Sequence, residues 1–495
     1  TYFYITTPIY YVNDKPHIGH AYTTILADVI SRYKRKLGKK TFFLTGLDEH
    51  GQKVQEAAEK LGVDPKKHCD KMAPRFTSLW DKLHISNDDF IRTTEDRHKK
   101  IVKKILQIVM ENGDIYEAEY EGLYSVSEER FITEKEAESG VYRDIKTLKE
   151  KNYFFRMSKY QKQLIKHIHS NPKFIQPNHR KNEILGFLQK PLNDLCISRP
   201  KSRLSWGIEL PFNKEYVTYV WFDALINYIT AAGYANDEKL FKRRWPASCH
   251  LIGKDILTTH AVYWPTMLMS AGIDLPESIF AHGWWLMGES KMSKSLGNII
   301  NPMDLIDDYG VDPVRYYLMR EMVIGQDASF TLESFIQRYN SDLANDFGNL
   351  LSRVTTLIHK NFAGKIPEPG ELPKEALSIK SKSVELSTLV TQMTNEMRLN
   401  DAIEEIMQFI RGVNKYMEKN APWKMVKEDK VSAGTVLYTA CEALRIGAVL
   451  LSPVMPNRTL ILLDVLNSDK VNYSWGGLVS GAKLKDHDPL FPRVK

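Results

Sequence analysis

The chain has 495 residues, of which 43% are hydrophobic and 26% are charged. These values are ordinary for a globular protein with an ample core, and the length predicts about two to four domains. The net charge of +7 is mild. It is compatible with an anionic partner and equally with an ordinary solvated surface, so charge alone favours neither.

Cysteine spacing and apolar content exclude several classes of protein. The cysteines are far apart and form no C-x-x-C pair, which argues against a zinc knuckle and against a disulfide framework. No basic N-terminal segment precedes an apolar one, and no apolar run approaches the ~18–20 residues that span a bilayer. We therefore expect a cytoplasmic protein with reduced thiols and no membrane partner. The cysteines are Cys69, Cys196, Cys249 and Cys441.

The start of the chain predicts alternating strands and helices. A buried strand at 2–6 precedes a helix at 17–38, and a second strand follows at 41–45. This order predicts a parallel sheet with a right-handed crossover. Residues 48–50 then lie at the carboxyl end of a strand, the edge at which open α/β sheets bind ligands.

The pattern changes after a long predicted helix at 95–110. Residues 116–212 are densely charged and mix short strands and helices without a regular strand–helix rhythm, so we interpret them as an insertion. The rhythm resumes with predicted strands at 216–222, 250–252 and 278–281.

From about residue 331 strand signals nearly vanish, and long amphipathic segments predict a helical bundle. The predicted helices are 345–360, 383–395, 402–420 and 435–451. The fold class is therefore α/β, with a doubly wound parallel sheet, an insertion and a C-terminal bundle. The predicted domains are 1–115 and 213–330 for the two halves of the sheet domain, 116–212 for the insertion, and 331–495 for the bundle.

The helix start after the first strand carries His17, Ile18, Gly19 and His20. Backbone N–H groups and the positive end of the helix dipole favour an anion there, and Gly19 lets a flat base or ribose approach closely. Imidazoles can donate hydrogen bonds to phosphate oxygens as negative charge develops. Two alternatives remain for these four residues: half of a metal site, or a merely polar helix start.

A second candidate site is the run Lys291, Met292, Ser293, Lys294 and Ser295. A basic loop after a strand suits a pyrophosphate leaving group, because its lysines add positive charge where negative charge develops. The alternative is a solvated Lys/Ser loop.

These two strings, in this order, resemble the class I aminoacyl-tRNA synthetases, and the surrounding residues resemble the methionyl-tRNA synthetase family over nearly the whole chain. The resemblance implies a Rossmann-type catalytic domain with an inserted connective domain and a helical anticodon-binding domain. The narrower match rests on the runs 8–13 (Pro-Ile-Tyr-Tyr-Val-Asn), 45–51 (Thr-Gly-Leu-Asp-Glu-His-Gly), 219–224 (Tyr-Val-Trp-Phe-Asp-Ala), 252–256 (Ile-Gly-Lys-Asp-Ile), 281–284 (Ala-His-Gly-Trp) and 421–423 (Ala-Pro-Trp).

The resemblance implies a reaction: activation of methionine by ATP to methionyl-adenylate and pyrophosphate, then transfer of methionine to the 3′ adenosine of its tRNA. Asp48 would hold the substrate ammonium, and Tyr11 or His260 would donate to the thioether. Catalysis would use His17, His20, Lys291 and Lys294. ATP would be bound by these residues with Gly19 and Lys254, and methionine by Ile9, Tyr11, Asp48, Trp221, Ala224, Tyr228, Ile256 and His260. The alternative for the aromatic residues is ordinary core packing.

The resemblance also places Asn349, Arg353 and Trp423 at the CAU anticodon of tRNA(Met). Asn349 and Arg353 are four apart and share a helix face. Trp423 would stack on an unpaired base, and the other two would bond base edges. The alternative for Trp423 is helix–helix packing. Some relatives carry a further tRNA-binding, dimer-forming domain, which this sequence does not contain, so a monomer is expected.

Metal expectations follow from the same resemblance. Mg²⁺ should accompany ATP. Related enzymes often bind zinc through C-x-x-C knuckles in the insertion, but this chain has hydroxyls and carboxylates at 124–129 instead. It therefore resembles the zinc-free subgroup, and no metal is assigned to the insertion histidines His167, His169 and His179.

Two rival functions remain open. A small-molecule nucleotidylyltransferase shares the phosphate chemistry and a similar histidine motif, but it needs no helical domain carrying Trp423. A non-catalytic RNA-binding paralogue would not need intact His17, His20, Lys291 and Lys294.

Overall fold

The structure is a computed structural model that describes residues 1–12, 15–128, 130–287, 290–291, 301–469 and 471–495. The chain divides into two compact units, Thr1–His282 and Gly283–Lys495. Each unit has its own core.

The first unit mixes strands and helices along its described length. Its strands are β1 (Phe3–Tyr11), β2 (Thr41–Asp48), β3 (Asp89–Arg92), β4 (Ile115–Ser125), β5 (Arg130–Ile132), β6 (Ile145–Phe155), β7 (Ile175–Gln176), β8 (Leu195–Cys196), β9 (Ser198–Pro200), β10 (Glu209–Leu210), β11 (Asn213–Thr218), β12 (Cys249–Gly253) and β13 (Ile279–His282). Its α-helices are α1 (Ile18–Lys36), α2 (Gln52–Lys60), α3 (Pro65–Lys82), α4 (Asp96–Glu111), α5 (Glu134–Glu138), α6 (Gln161–Ser170), α7 (Asn178–Phe187), α8 (Val220–Ala224), α9 (Asn227–Ala232), α10 (Glu238–Arg244) and α11 (Trp264–Ala271).

Among the described residues, six strands form a parallel sheet in the order β3-β2-β1-β12-β13-β7. β1 and β2 are buried on both faces, as expected for a parallel sheet covered by helices. The predicted parallel sheet is confirmed. α1 runs close to its predicted position at 17–38, because its apolar periodicity is strong, whereas β1 continues to Tyr11, well beyond the predicted strand at 2–6.

The predicted strand at 216–222 differs from the structure. Its first residues belong to β11, which pairs antiparallel with β9 and β10 in a separate small sheet. From Val220 the backbone is helical, so Trp221 lies on a helix and not at a strand end. The run of aromatic and β-branched residues favoured a strand locally, and tertiary packing overrides that preference.

The region 115–196 contains a second sheet with antiparallel pairing, in the order β5-β4-β6-β8. β4 and β6 pair over their full lengths, from Ile115 opposite Phe155 to Ser125 opposite Ile145. Within this region, however, β7 joins the edge of the parallel sheet next to β13. The insertion therefore returns a strand to the sheet from which it departs.

The second unit is mostly helical, as predicted. Its described strands are short: β14 (Trp285–Met287), β15 (Ser290–Lys291) and β16 (Ala328–Ser329). Its α-helices are α12 (Pro302–Tyr309), α13 (Val311–Glu321), α14 (Leu332–Arg338), α15 (Asn349–Asn361), α16 (Lys374–Asn395), α17 (Leu399–Asn420), α18 (Pro422–Met425), α19 (Lys430–Leu451) and α20 (Pro456–Val465).

One described helix, α19, is long and apolar enough to cross a membrane by length and composition. The sequence-based expectation that no apolar run reaches this length therefore needs correction. The apolar window of α19 is entirely buried inside the unit, where its side chains form the centre of the bundle.

Candidate active site

Two histidines cap each other at the start of α1. The Nδ1 atom of His17 accepts a hydrogen bond from the backbone N–H of Gly19 at 3.0 Å. The Nδ1 atom of His20 accepts one from the backbone N–H of His17 at 3.1 Å. The two rings lie 4.0 Å apart, centroid to centroid. The arrangement is a capping box in which imidazoles replace the usual hydroxyl and carboxylate.

This capping fixes the tautomer of both rings. A nitrogen that accepts a hydrogen bond carries no proton, so each neutral ring holds its proton on Nε2. Burial, with a smaller effect from His17, lowers the pKa of His20 well below its usual value. His20 is therefore neutral at ordinary pH and is an N–H donor through Nε2.

Gly19 is required by the close approach of the His17 ring. A Cβ atom at this position would lie 2.8 Å from Cε1 of His17, which is closer than real Cβ contacts. Any side chain here would displace the ring that caps the helix. The His17 ring is thus a structural reason for glycine at this position. The close approach of a ligand stays a prediction.

The ends of β1 and β2 bring three predicted pocket residues together. In the parallel register, Ile9 pairs with Gly46 and Tyr11 pairs with Asp48. Asp48 is the last residue of β2, and its side chain is buried. A Cβ atom on Gly46 would lie 2.0 Å from the Ile91 carbonyl oxygen, so glycine is needed for the neighbouring strand to fit.

Tyr228 and His260 form the next part of the predicted pocket. The Tyr228 hydroxyl lies 2.7 Å from Nε2 of His260, and Nδ1 of His260 lies 3.0 Å from the Ile256 carbonyl oxygen. A carbonyl only accepts, so Nδ1 carries the proton and Nε2 accepts from Tyr228. Burial lowers the pKa of His260 to about 4, which keeps the ring neutral.

This pairing alters one expectation from the sequence. The single N–H group of neutral His260 donates to Ile256, so the donor expected for a ligand sulfur is already used. The other predicted residues of the methionine and ATP sites lie in the segments just before Tyr228 and His260. Trp221, half-buried, and Ala224, buried, are on α8, and Lys254 and Ile256 form the 3₁₀ turn after β12.

A buried cluster that sequence reasoning missed joins the end of β2 and α8 to a further helix, α4. The carboxylate of Asp223 accepts from Nδ1 of His50 at 2.6 Å and from Nε2 of His98 at 2.7 Å. Burial alone would raise the pKa of Asp223, but the two histidines lower it to about 2. His50 and Asp223 stand inside motifs quoted above, whereas no pattern in the sequence marks His98.

The basic run is only partly described. The backbone of Lys291 forms the end of β15, opposite Leu286 of β14. Lys294 lies outside the described residues. The predicted role of both lysines is therefore not tested by the structure.

The second unit brings together two of the residues expected at an anticodon. The guanidinium of Arg353, on α15, lies 5.4 Å from the ring centroid of Trp423, on α18. Arg353 also pairs with Glu418 at 2.6 Å. Asn349 is exposed one turn before Arg353 on α15. Cation–π geometry at a partly exposed tryptophan suits stacking of a base.

In the described part of the chain, no group of three or more His, Cys, Asp and Glu side chains is arranged to hold a metal ion. The cysteines are free thiols. His167, of the insertion, packs its ring 4.6 Å from that of Phe174.

The chain thus combines a parallel sheet, paired histidines at its first helix and a helical bundle that follows, and the family models identify the class to which it belongs, the class I aminoacyl-tRNA synthetases. The family model described as "tRNA synthetases class I (M)" matches residues 3–141 and 135–355, and the model "Anticodon binding domain of methionyl tRNA ligase" matches 366–487. The chain belongs to the methionyl-tRNA synthetase family.

Known relatives agree with this assignment. The methionine--tRNA ligase of Fusobacterium nucleatum is 47% identical over 100% of this chain and 80% of its own length. That of Thermotoga maritima is 44% identical over 99% of this chain and 80% of its own length. A solved structure of Mycobacterium tuberculosis methionyl-tRNA synthetase in complex with methionyl-adenylate superposes with a TM-score of 0.95, at 41% identity and 99% coverage of both chains.

Proposed function

We propose that the chain is a methionine--tRNA ligase: it activates L-methionine with ATP and transfers the methionyl group to the 3′ adenosine of tRNA(Met). The observation that carries this proposal is the mutual capping of His17 and His20 at the start of α1, within a chain of this family. It leaves Nε2 of both imidazoles as the nitrogen available to donate, at the positive end of a helix dipole.

The first step needs no side-chain nucleophile. A carboxylate oxygen of methionine attacks the α-phosphorus of ATP, the bond from that phosphorus to the bridging oxygen breaks, and pyrophosphate leaves with the electron pair. The Nε2–H groups of His17 and His20 donate to phosphate oxygens as charge builds in the transition state. Lys291 and Lys294 neutralise the leaving pyrophosphate, and Gly19 and Lys254 complete the ATP site.

The methionine site is proposed to lie at the carboxyl ends of β1 and β2. The carboxylate of Asp48, buried at the end of β2, would pair with the substrate ammonium. Apolar contact alone distinguishes methionine poorly from other apolar amino acids, since one methylene is worth only ~1–3 kcal/mol of binding free energy. The remaining pocket residues provide the polarisable and aromatic surface that a thioether prefers: Ile9, Tyr11, Trp221, Ala224, Tyr228, Ile256 and His260.

The second step requires recognition of tRNA(Met). We propose that the CAU anticodon binds the second unit, with a base stacked on Trp423 and base edges bonded by Arg353 and Asn349. The 5.4 Å contact between Arg353 and Trp423 supports this proposal, because both side chains are presented at one place. In transfer, a ribose hydroxyl of the terminal adenosine attacks the carbonyl carbon of methionyl-adenylate and loses its proton. The acyl–phosphate bond breaks, and AMP leaves with the electron pair.

Further proposals complete the assignment. Mg²⁺ accompanies ATP and supplies positive charge to its phosphates, while zinc is not required. The protein acts as a monomer in the cytoplasm. Elemental analysis of protein purified without chelator or added metal tests the zinc proposal, since one zinc per chain would contradict it. Light scattering tests the monomer.

The deciding experiment is methionine-dependent exchange of pyrophosphate into ATP, with leucine and isoleucine as controls. We expect exchange with methionine far above exchange with either control. Aminoacylation of tRNA(Met) then separates this function from a small-molecule nucleotidylyltransferase. Failure of both reactions in folded protein would favour a non-catalytic RNA-binding role and overturn the proposal.

A further inference from the structure

Asp223 lies at the centre of a buried hydrogen-bonded cluster formed with His50 and His98. Both of its carboxylate oxygens are used, one by Nδ1 of His50 and the other by Nε2 of His98. All three side chains are at most 3% exposed. Charge-assisted hydrogen bonds of this kind are about twice as strong as neutral ones, and they are directional.

Each member of the cluster belongs to a segment that carries proposed methionine-site residues or packs against one. His50 follows Asp48 by two residues at the end of β2. Asp223 lies between Trp221 and Ala224 on α8. The cluster therefore connects Asp48, the proposed partner of the substrate ammonium, to Trp221 of the proposed methionine site.

His98 extends the connection to a third segment. Its Nδ1 lies 3.3 Å from the hydroxyl of Thr230, and that hydroxyl also lies 3.0 Å from the Ile226 carbonyl oxygen, so its one proton can be donated to either acceptor. Thr230 is on α9, two residues after Tyr228. His98 itself is in the first turn of α4, a helix of 16 residues that packs against α9 and α11.

Two of the joined segments, α8 and α9, are too short to be stable helices by themselves. α8 has 5 residues and α9 has 6, and isolated helices of this length are not stable in water. Hydrogen bonds are restricted in both distance and angle, so two short ones to one buried carboxylate define the place of α8 closely. A fixed carboxylate between two fixed imidazoles is thus suited to a positioning role.

We propose that the His50–Asp223–His98 cluster positions Trp221 and Ala224 against Asp48, and so determines methionine affinity without contacting methionine or ATP. This inference rests on the proposed methionine site. The alternative is a cluster that only stabilises the fold, in which case its loss would lower stability and impair both substrates alike.

Isosteric amides give a sharp test, because the two histidines use different ring nitrogens. The amide of Asn places a donor near the position of Nδ1, and the amide of Gln near that of Nε2. His50→Asn and His98→Gln therefore keep the donor to Asp223, whereas His50→Gln and His98→Asn misplace it. The crossed design uses both amino acids at both positions, so it controls for side-chain size and polarity.

The readouts are the KM values for methionine and for ATP in pyrophosphate exchange, with the melting temperature of each variant. We expect His50→Gln and His98→Asn to raise the methionine KM about tenfold or more, as for loss of a hydrogen bond to a charged group, with the ATP KM changed less than about twofold. His50→Asn and His98→Gln should stay within about threefold of wild type for both substrates.

A milder variant covers the case in which a crossed variant does not fold. Thr230→Val keeps the shape of the side chain and removes the hydroxyl that lies against His98 Nδ1 and the Ile226 carbonyl oxygen. We expect its methionine KM to rise about two- to tenfold, the range for a neutral hydrogen bond, and its ATP KM to stay unchanged.

Two results would overturn the inference: a rise in both KM values together, or a methionine KM that is the same for the two amides at each position. Both would identify the cluster as a general stabiliser. Absence of methionine-dependent exchange in the wild type is a different result, since it would contradict the proposed function itself.

Discussion

His17 and His20 hold each other in place: the backbone N–H of His17 donates to Nδ1 of His20 at 3.1 Å, and the rings lie 4.0 Å apart. The same atoms that satisfy the helix start leave the protons on Nε2. The structural role of the histidines is therefore also what fixes their protonation for contact with phosphate. A serine or aspartate cap would stabilise the helix without offering a neutral N–H donor.

The two roles of His17 separate in a pair of variants. His17→Asn keeps an excellent N-cap, so the free energy of unfolding should change little, whereas adenylate formation should slow about 10²–10³-fold because a donor to developing charge is lost. His17→Ala should lose a similar factor in rate and also about 0.5–2 kcal/mol of stability. Single-turnover adenylate formation and chemical denaturation are the measurements.

The comparison of Asn with Ala supplies the control. Equal stability of the two variants would show that the cap contributes nothing. A His17→Asn enzyme with wild-type kcat would show that the Nε2 proton has no part in the reaction.

Much of the fold could be predicted because its periodicity is local. The alternation of apolar strand and amphipathic helix predicts β1, α1 and β2, and the long helices α17 and α19 were placed within a few residues. The start of a helix is harder to predict where a capping side chain, and not apolar periodicity, sets it. α19 begins at Lys430, before the predicted start at 435, because the side chain of Asp429 caps it by accepting from the backbone N–H of Ser432.

Features that depend on partners distant in sequence could not be predicted. The residues of β7 have no pattern that distinguishes them from their insertion, and only pairing with β13 makes them a strand of the parallel sheet. The same holds for the site. His98 reaches Asp223 across 125 positions of sequence, and no spacing rule connects them.

Buried neutral histidines predict a pH-dependent stability. The pKa of His260 is lowered by burial to about 4, and that of His250 is lowered well below its usual value, mainly by burial and further by His260. Between about pH 6.5 and pH 4 the unfolded chain binds a proton at His260 that the native protein does not, so stability is lost as pH falls through this range. Below pH 4 both states are protonated at this position.

The loss attributable to His260 should be roughly 3 kcal/mol between pH 7 and pH 4. Urea denaturation over this range measures it. His260→Asn keeps a donor near the Ile256 carbonyl but does not titrate, so its stability should fall less steeply with acidification. Parallel curves for the variant and the wild type would assign the acid sensitivity to other groups.

Lys294 is expected to act on the transition state. Lys294→Ala should fold normally and bind methionine nearly as well as the wild type, while adenylate formation falls by orders of magnitude, as for loss of a contact to developing charge. Equilibrium binding of methionine and single-turnover kinetics separate the two effects. A raised KM for ATP with unchanged turnover would reassign the lysine to ground-state binding.

Trp423 separates a tRNA enzyme from any enzyme of small substrates. Its ring lies under the guanidinium of Arg353, among the helices of the second unit, whereas His17 and His20 belong to the first unit. Base–aromatic stacking is worth ~1–3 kcal/mol per base, so Trp423→Ala should raise the KM for tRNA(Met) roughly ten- to a hundredfold. Methionine-dependent pyrophosphate exchange should remain at the wild-type level.

Val431→Ala, which truncates an exposed apolar side chain in the same unit, is the matched control and should change neither activity. Loss of both activities in Trp423→Ala would identify the tryptophan as a packing residue, and loss of neither would remove Trp423, with Arg353, from the anticodon site.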